Sequence, residues 1–361
     1  MASPTPTTRT AKTSKAPMES MHVTNFRYTA SPHPTVECTV PGLSHESYDK
    51  DWIPRTSSLM WVDALTRYYV LHRPLDDQTE PSKQGDGVGS SSGISSQVAG
   101  LSLQTETGSA GQKLWSYEDT TRAFLNWGQF LKNAHSFGQY SELTMTKALY
   151  DREVSKWTLD LRFRLGFVGA CSVTKICEYF ARGKDGKNVL IWSNKYQQVA
   201  VDKKTRQPTR VPTWFKDKYQ GKGCLSQAMV LRPFKKPEVT FCHPILVQYS
   251  DIDEYGHANW SAYIKWTTDA IHAAMLPDKQ NGNGSCQTKG GRVLRSITKE
   301  TLGRGLHKFQ VTYFRECLEG DHVEVHLWED GQPNQVLCCL VKSGEEICQI
   351  KLFYFDDDES L

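Results

Sequence analysis

The chain lacks any apolar run approaching the roughly 20 residues that span a bilayer, so no transmembrane helix is expected. It also lacks a charge surplus. Its 43 basic and 40 acidic residues are well mixed and leave a formal net charge of +3. That balance gives no basic stripe for nucleic acid or a membrane surface, and neither partner is expected. Ten cysteines are present, but none forms a C-x-x-C pair or a His/Cys ligand spacing. No metal site and no disulfide framework are implied, and with no secretory signal the thiols read as reduced and intracellular. Met1 to Ser20 has no acid before Glu19 and is rich in Thr, Ser and Lys. This is compatible with an organellar transit peptide, yet a clear amphipathic face is missing. A disordered tail over 1–22 and a cytoplasmic location are expected, with mitochondrion or plastid as the alternative.

What is there fits a soluble globular protein: 361 residues, 38% hydrophobic and 23% charged, enough for two domains. Residues 81–112 are rich in Gly and Ser, cannot bury enough surface to offset their ordering entropy, and are expected to be a flexible insertion. Leu114 to Lys132 has helix-like spacing, with Leu114, Tyr117, Phe124, Trp127 and Phe130 as buried positions. From Trp157, Leu159, Leu161, Phe163, Leu165 and Phe167 alternate with polar residues and Gly166, which predicts a half-buried strand. Val189–Trp192 and Tyr196–Val201 continue as strands, and a connector follows over 216–238. A second strand–helix–strand layout is expected from Val239: a strand to Tyr249, then a helix with Tyr263, Ile264, Thr267, Ala270, Ile271 and Ala274 on one face. A Gly-rich loop over 280–292 leads to strands near Arg304–Glu316, Val323–Trp328, Gln335–Lys342 and Glu346–Phe355.

The halves echo one another. Ser57 to Ala64 occupies the place of Ser261 to Ala270 with a small length difference, and Ser47 to Pro54 echoes Tyr249 to Asn259. This pattern predicts an internal duplication.

Chemistry concentrates between Val247 and Ile264. Asp253, Gly256, His257 and Asn259 stand where an apolar strand gives way to the helix. First-turn amides have no intrahelical partner and carry the positive end of the helix dipole. Gly256 would let a substrate carbonyl approach, so an oxyanion hole is expected there, against the plainer reading that Asp253 caps the helix. His257 as a satisfied core residue, Asn259 as a cap and Glu316 as a solvated turn acid are the corresponding plain readings. Cys317 should point away from Glu316 and pack.

The run Asp251-Ile252-Asp253-Glu254-Tyr255-Gly256-His257-Ala258-Asn259-Trp260-Ser261-Ala262-Tyr263 resembles the signature D-x-D-x-N-x-H-x-N-N-x-x-Y of hotdog-fold acyl thioesterases with two repeats. Tyr313-Phe314-Arg315-Glu316-Cys317 resembles their downstream Y-x-R-E-C. The resemblance is to plant and bacterial acyl-carrier-protein thioesterases. It implies an α+β tandem hotdog, each half a long helix wrapped by a curved antiparallel sheet. The implied halves are 23–218 and 239–357, joined by a linker over 219–238.

The resemblance also assigns Asp253, His257 and Glu316 to catalysis and Tyr255, Gly256, Asn259 and Tyr263 to substrate binding. Hydrolysis of a fatty-acyl thioester of coenzyme A or acyl-carrier protein is implied, with no metal or redox cofactor, and a homodimer of such chains is compatible. Tyr255 stands where the plant enzymes have Asn, in a form nearer the D-x-x-G-H of coenzyme A thioesterases. The first half has Trp52, Ile53 and Pro54 at the matching place and is expected to be catalytically degenerate and to form part of an acyl groove; Met60, Tyr68 and Tyr69 read by default as core packing, with lining of that groove as the alternative. A non-catalytic acyl-thioester binding protein and a hotdog hydratase or dehydratase are the alternatives.

Overall fold

A computed structural model of the chain describes residues 23–75, 120–229, 232–253, 256–276 and 294–356. The tail over 1–22, the insertion over 81–112, the loop over 280–292 and the residues Leu114, Tyr117 and Tyr255 lie outside the described residues.

Alternation of apolar and polar residues writes most of the strands. These are β1 (Thr24–Thr29), β2 (Thr35–Pro41), β3 (His135–Met145), β4 (Ser155–Val168), β5 (Ser172–Arg182) and β6 (Asn188–Val201) in the first half. The second half holds β7 (Phe241–Leu246), β8 (Leu306–Tyr313), β9 (His322–Trp328), β10 (Gln335–Lys342) and β11 (Glu345–Tyr354). All join one 11-stranded sheet in the order β1-β2-β4-β5-β6-β3-β8-β11-β10-β9-β7. Each half therefore runs through a three-strand meander to an inner strand, starting from the β1–β2 pair in the first half and from β7 in the second. The inner strands β3 and β8 pair antiparallel, from Tyr140↔Thr312 to Thr144↔Lys308. The fold is mixed, with a large antiparallel sheet and few helices.

Two long helices follow the outer strands: α1 (Thr56–His72) after β2, and α5 (Trp260–Met275) after β7. Shorter ones are α2 (Trp127–Asn133), α3 (Lys147–Tyr150), α4 (Thr213–Tyr219) and α6 (Lys299–Arg304). α5 buries Ala262, Tyr263, Ile264, Trp266, Thr267, Ala270 and Ile271, the face expected from the spacing. Each fully buried large apolar side chain there contributes about 1.5–3 kcal/mol. α1 buries Leu59, Met60, Asp63, Thr66, Val70 and Leu71, and both helices press into one continuous apolar core.

Several expected boundaries shift. On β4, Leu159, Leu161, Phe163 and Leu165 are buried as expected, but the ladder slips between Leu165 and Phe167, so Val168 rather than Phe167 takes the next buried place. The cause is tertiary. The N–H groups of Cys224 and Leu225 donate to the carbonyls of Leu165 (3.0 Å) and Gly166 (2.9 Å), so the expected connector is laced onto the strand. Gly223 lies so close there that a Cβ would overlap the Gly166 carbonyl. That connector also begins inside α4. In the segment read as helical over 114–132, the described part forms a short 3-10 turn over Phe124–Asn126 and then α2, with Phe124, Trp127 and Phe130 buried. The strand expected over Arg304–Glu316 ends at Tyr313, which leaves Glu316 in a bend beyond it.

Candidate active site

The site is built from the loop between β7 and α5. After β7 a 3-10 turn, Tyr249–Asp251, brings Asp251 into the interior. Its carboxylate accepts from the Gln248 N–H (3.1 Å), Lys265 Nζ (3.0 Å) and Trp266 Nε1 (3.3 Å). The loop then closes on itself: the Asp253 N–H donates to the His257 carbonyl (2.9 Å), the Gly256 N–H to Asp253 (3.0 Å), and the Asn259 N–H to Asp251 (2.7 Å). Within this closure the His257 Nδ1 lies 3.4 Å from Asp253 Oδ2, the two side chains 21% and 18% exposed. The expected acid–imidazole pair is thus formed, within reach of solvent.

Two expectations for this loop are corrected. Asp253 does not cap the helix: α5 starts at Trp260, and Asn259 accepts from the Ser261 N–H (2.9 Å) and Ser261 Oγ (2.8 Å). Gly256 and His257 therefore precede the helix rather than form its first turn. The Gly256 N–H is spent on Asp253, so the expected oxyanion donor is occupied. Gly256 suits the loop for another reason, since it turns at φ +80° without the strain a side chain would bring.

Glu316 reaches the same junction from the other side. The Ala258 N–H donates to the Cys317 carbonyl (2.7 Å), which sets His257 and Glu316 on adjoining segments. The Glu316 carboxylate, 48% exposed, pairs with Arg206 Nη2 at 2.8 Å. Cys317 turns inward and is fully buried, and burial pushes its thiol pKa up, so it packs, as expected. Tyr263 is buried, its hydroxyl donating weakly to the Arg315 carbonyl (3.4 Å) and its ring edge-on to Tyr313. It supports the Arg315–Cys317 bend from beneath.

Reading the sequence missed two contributors from the first half. Arg206 is one. The other is Arg67 of α1, whose guanidinium lies between the rings of Tyr196 (4.0 Å) and Trp260 (4.6 Å), the first residue of α5. It is held by Asp63 (3.0 Å), which also accepts from Tyr179 Oη (3.0 Å) and Asn194 Nδ2 (2.8 Å). An acid and a base four residues apart on the buried face of a helix were the available signal. Nothing local to Arg206 distinguishes it from its basic neighbours.

The first half repeats the loop position for position. Asp49 donates its N–H to Ile53 (2.9 Å), Arg55 to Ser47 (2.8 Å), and Trp52 has φ +63° where Gly256 has +80°. The echo seen in the sequence therefore needs no length difference. Its Ile53 stands in the place of His257, and Arg55, with no side-chain cap, in that of Asn259.

A cavity of about 510 Å³ lies at the start of α1 in the first half, lined in part by Ser44, Ser47, Ser57, Trp61 and Leu65, with Ser261 its one residue from α5. Met60, Tyr68 and Tyr69 are not on its wall, and Met60 is buried in the core. Cys242, Glu324 and His326 bring metal-capable atoms within 4.8 Å of one another on the β7–β9 pair. Both His326 ring nitrogens are engaged there, by Thr240 Oγ (2.9 Å) and Glu324 (3.2 Å).

Residues 234–282, which include the loop and α5, match the family model of the acyl-ACP thioesterase C-terminal domain. No curated protein sequence matches the chain. Among solved structures, a protein described as an oleoyl thioesterase from Lactobacillus plantarum superposes with a TM-score of 0.54 at 12% identity, over 90% of this chain and 97% of that one. An acyl-ACP thioesterase from Bacteroides thetaiotaomicron gives 0.52 at 13% identity, over 89% and 98%. The 12:0-ACP thioesterase of Umbellularia californica gives 0.51 at 9%, over 89% and 97%. The chain shares their fold, and the resemblance drawn from its two motifs to the acyl-ACP thioesterases holds.

Proposed function

We propose that the chain is a thioester hydrolase that releases a free fatty acid from acyl-carrier protein, with coenzyme A as the alternative carrier. The observation that carries this reading is the Asp253–His257 pair, closed into a loop within the segment that the acyl-ACP thioesterase model matches. The repeated strand order about β3 and β8, with the repeated loop, supports a tandem hotdog of two domains, 23–218 and 239–357, joined by 219–238. Among the described residues no helix is long and apolar enough to cross a membrane. A cytoplasmic location belongs to the same reading.

Water is the second substrate. A carboxylate, of Asp253 or Glu316, accepts a proton as the water oxygen bonds to the thioester carbonyl carbon. The tetrahedral species collapses, the C–S bond breaks, and the departing thiolate takes a proton while the fatty acid remains. His257 fixes the Asp253 carboxylate from 3.4 Å.

The test is release of free thiol from palmitoyl thioesters of acyl-carrier protein and of coenzyme A by the purified full chain. Hydrolysis abolished by Asp253→Asn is expected. Binding of both thioesters with no thiol released from either would replace hydrolysis with a binding role.

A further inference from the structure

We propose that Arg206, from the first half of the chain, is a positioning residue that holds the Glu316 carboxylate at the candidate site of the second half. The proposal rests on the hydrolase reading above and adds a residue to it.

Glu316 stands in a bend past the end of β8, where no strand ladder sets the direction of its side chain. What fixes it is Arg206 Nη2 at 2.8 Å. Arg206 is itself held by a turn at the end of β6 that Asp202 pins. Asp202 accepts from the Lys204 N–H (3.0 Å), the Thr205 N–H (2.8 Å) and Thr205 Oγ (3.0 Å). The turn closes through Arg206 N–H to the Asp202 carbonyl (3.0 Å) and Asp202 N–H to Gln207 (2.9 Å). Val201 pairs with His135 of β3, so this turn sits at the head of the central strand pair.

From there the guanidinium lies over the ring of Phe137, 5.2 Å from its centre, and the Phe137 ring meets His257 at 6.4 Å and 87°. Glu316, Arg206, Phe137 and His257 form a continuous line of contacts. Its two ends are proposed catalytic residues of the second half, and its two middle members belong to the first. A loop that lacks the catalytic His of its own copy is thus balanced by a turn that serves the other copy.

Magnitudes separate this from ordinary surface pairing. The two side chains are 52% and 48% exposed, and an exposed ion pair adds little to stability. Arg206 holds φ +55°, a left-handed conformation that strains a side-chain-bearing residue. The pair does not repay the turn as stability. The turn makes sense as a device of direction, fixing where one carboxylate points.

The experiment compares Arg206→Ala, Arg206→Lys, Glu316→Gln and the Ala/Gln double variant in thiol release from palmitoyl-acyl-carrier protein, with thermal unfolding of each. Misplacing a reacting group costs up to about 100-fold. Arg206→Ala is therefore expected to lower kcat about 10- to 100-fold with KM within about twofold and an unchanged unfolding midpoint. Arg206→Lys is expected to recover part of the loss, and Arg206→Ala to cost nothing further once Glu316 is Gln. An unchanged kcat in Arg206→Ala would overturn the proposal. So would a rise in KM alone, which would make Arg206 a substrate-binding residue, or losses that multiply in the double variant. If the wild-type chain releases no thiol from either carrier, the hydrolase reading itself falls and takes this proposal with it.

Discussion

The N–H of Asp253 donates to the carbonyl of His257 at 2.9 Å, the bond that closes the candidate catalytic loop. Asp49 and Ile53 make the same bond at the same length in the first half. The loop's shape is therefore set by its backbone and does not depend on an imidazole.

It follows that His257→Ile, which installs the residue of the first-half copy, should fold normally and fail as an enzyme. Misplacing the reacting carboxylate that His257 fixes costs up to about 100-fold in rate. Thiol release should fall by that factor while the thermal midpoint stays within a degree or two of wild type. A large drop in the midpoint would show that His257 is a structural residue.

Asn259 should matter to stability through its cap. Asn259→Ala removes the acceptor for the Ser261 N–H and should cost about 1 kcal/mol in urea unfolding, with Asn259→Asp close to wild type. Arg55 has the extended backbone of a cap (φ −68°, ψ 124°) but no side-chain bond, so Arg55→Asn should stabilise the chain by a similar amount.

Asp251 is buried under three donors. Asp251→Ala strands the Trp266 indole N–H and the Gln248 N–H, each at a cost of about 1–3 kcal/mol. The urea midpoint should fall well beyond that of Asn259→Ala, with no change in m-value.

Lys175 gives a pH signature. It is fully buried over the Trp127 ring (3.2 Å) and bonded to Gln198 (2.5 Å). Burial, then the Arg67 charge, holds its ammonium well below the ordinary 10.5. The unfolded chain therefore binds a proton that the native state resists. Stability is reduced below the depressed native value and recovers as pH rises toward 10.5. Lys175→Met, which has no proton to exchange, should stabilise the protein at pH 7 and flatten the alkaline rise in its unfolding free energy. An unchanged slope between neutral and alkaline pH would count against this reading of Lys175.

By itself the sequence determined the elements whose cause is local. Alternation wrote β4 as far as Leu165, a continuous apolar run wrote β10, buried from Gln335 to Val341, and the 3.6-residue spacing wrote α5, because these patterns follow from which sides of one element face the core. The Asp253–His257 pairing was implied only by the resemblance, and the closed turn sets the two side chains 3.4 Å apart. The tertiary structure decided what depends on a partner far along the chain. The Gly166 slip comes from the segment at Cys224 and Leu225. The seat of Glu316 comes from Arg206, 110 residues away in sequence. A carboxylate beyond the end of a strand has no local rule to aim it, so only the packing of the two halves could say where it points.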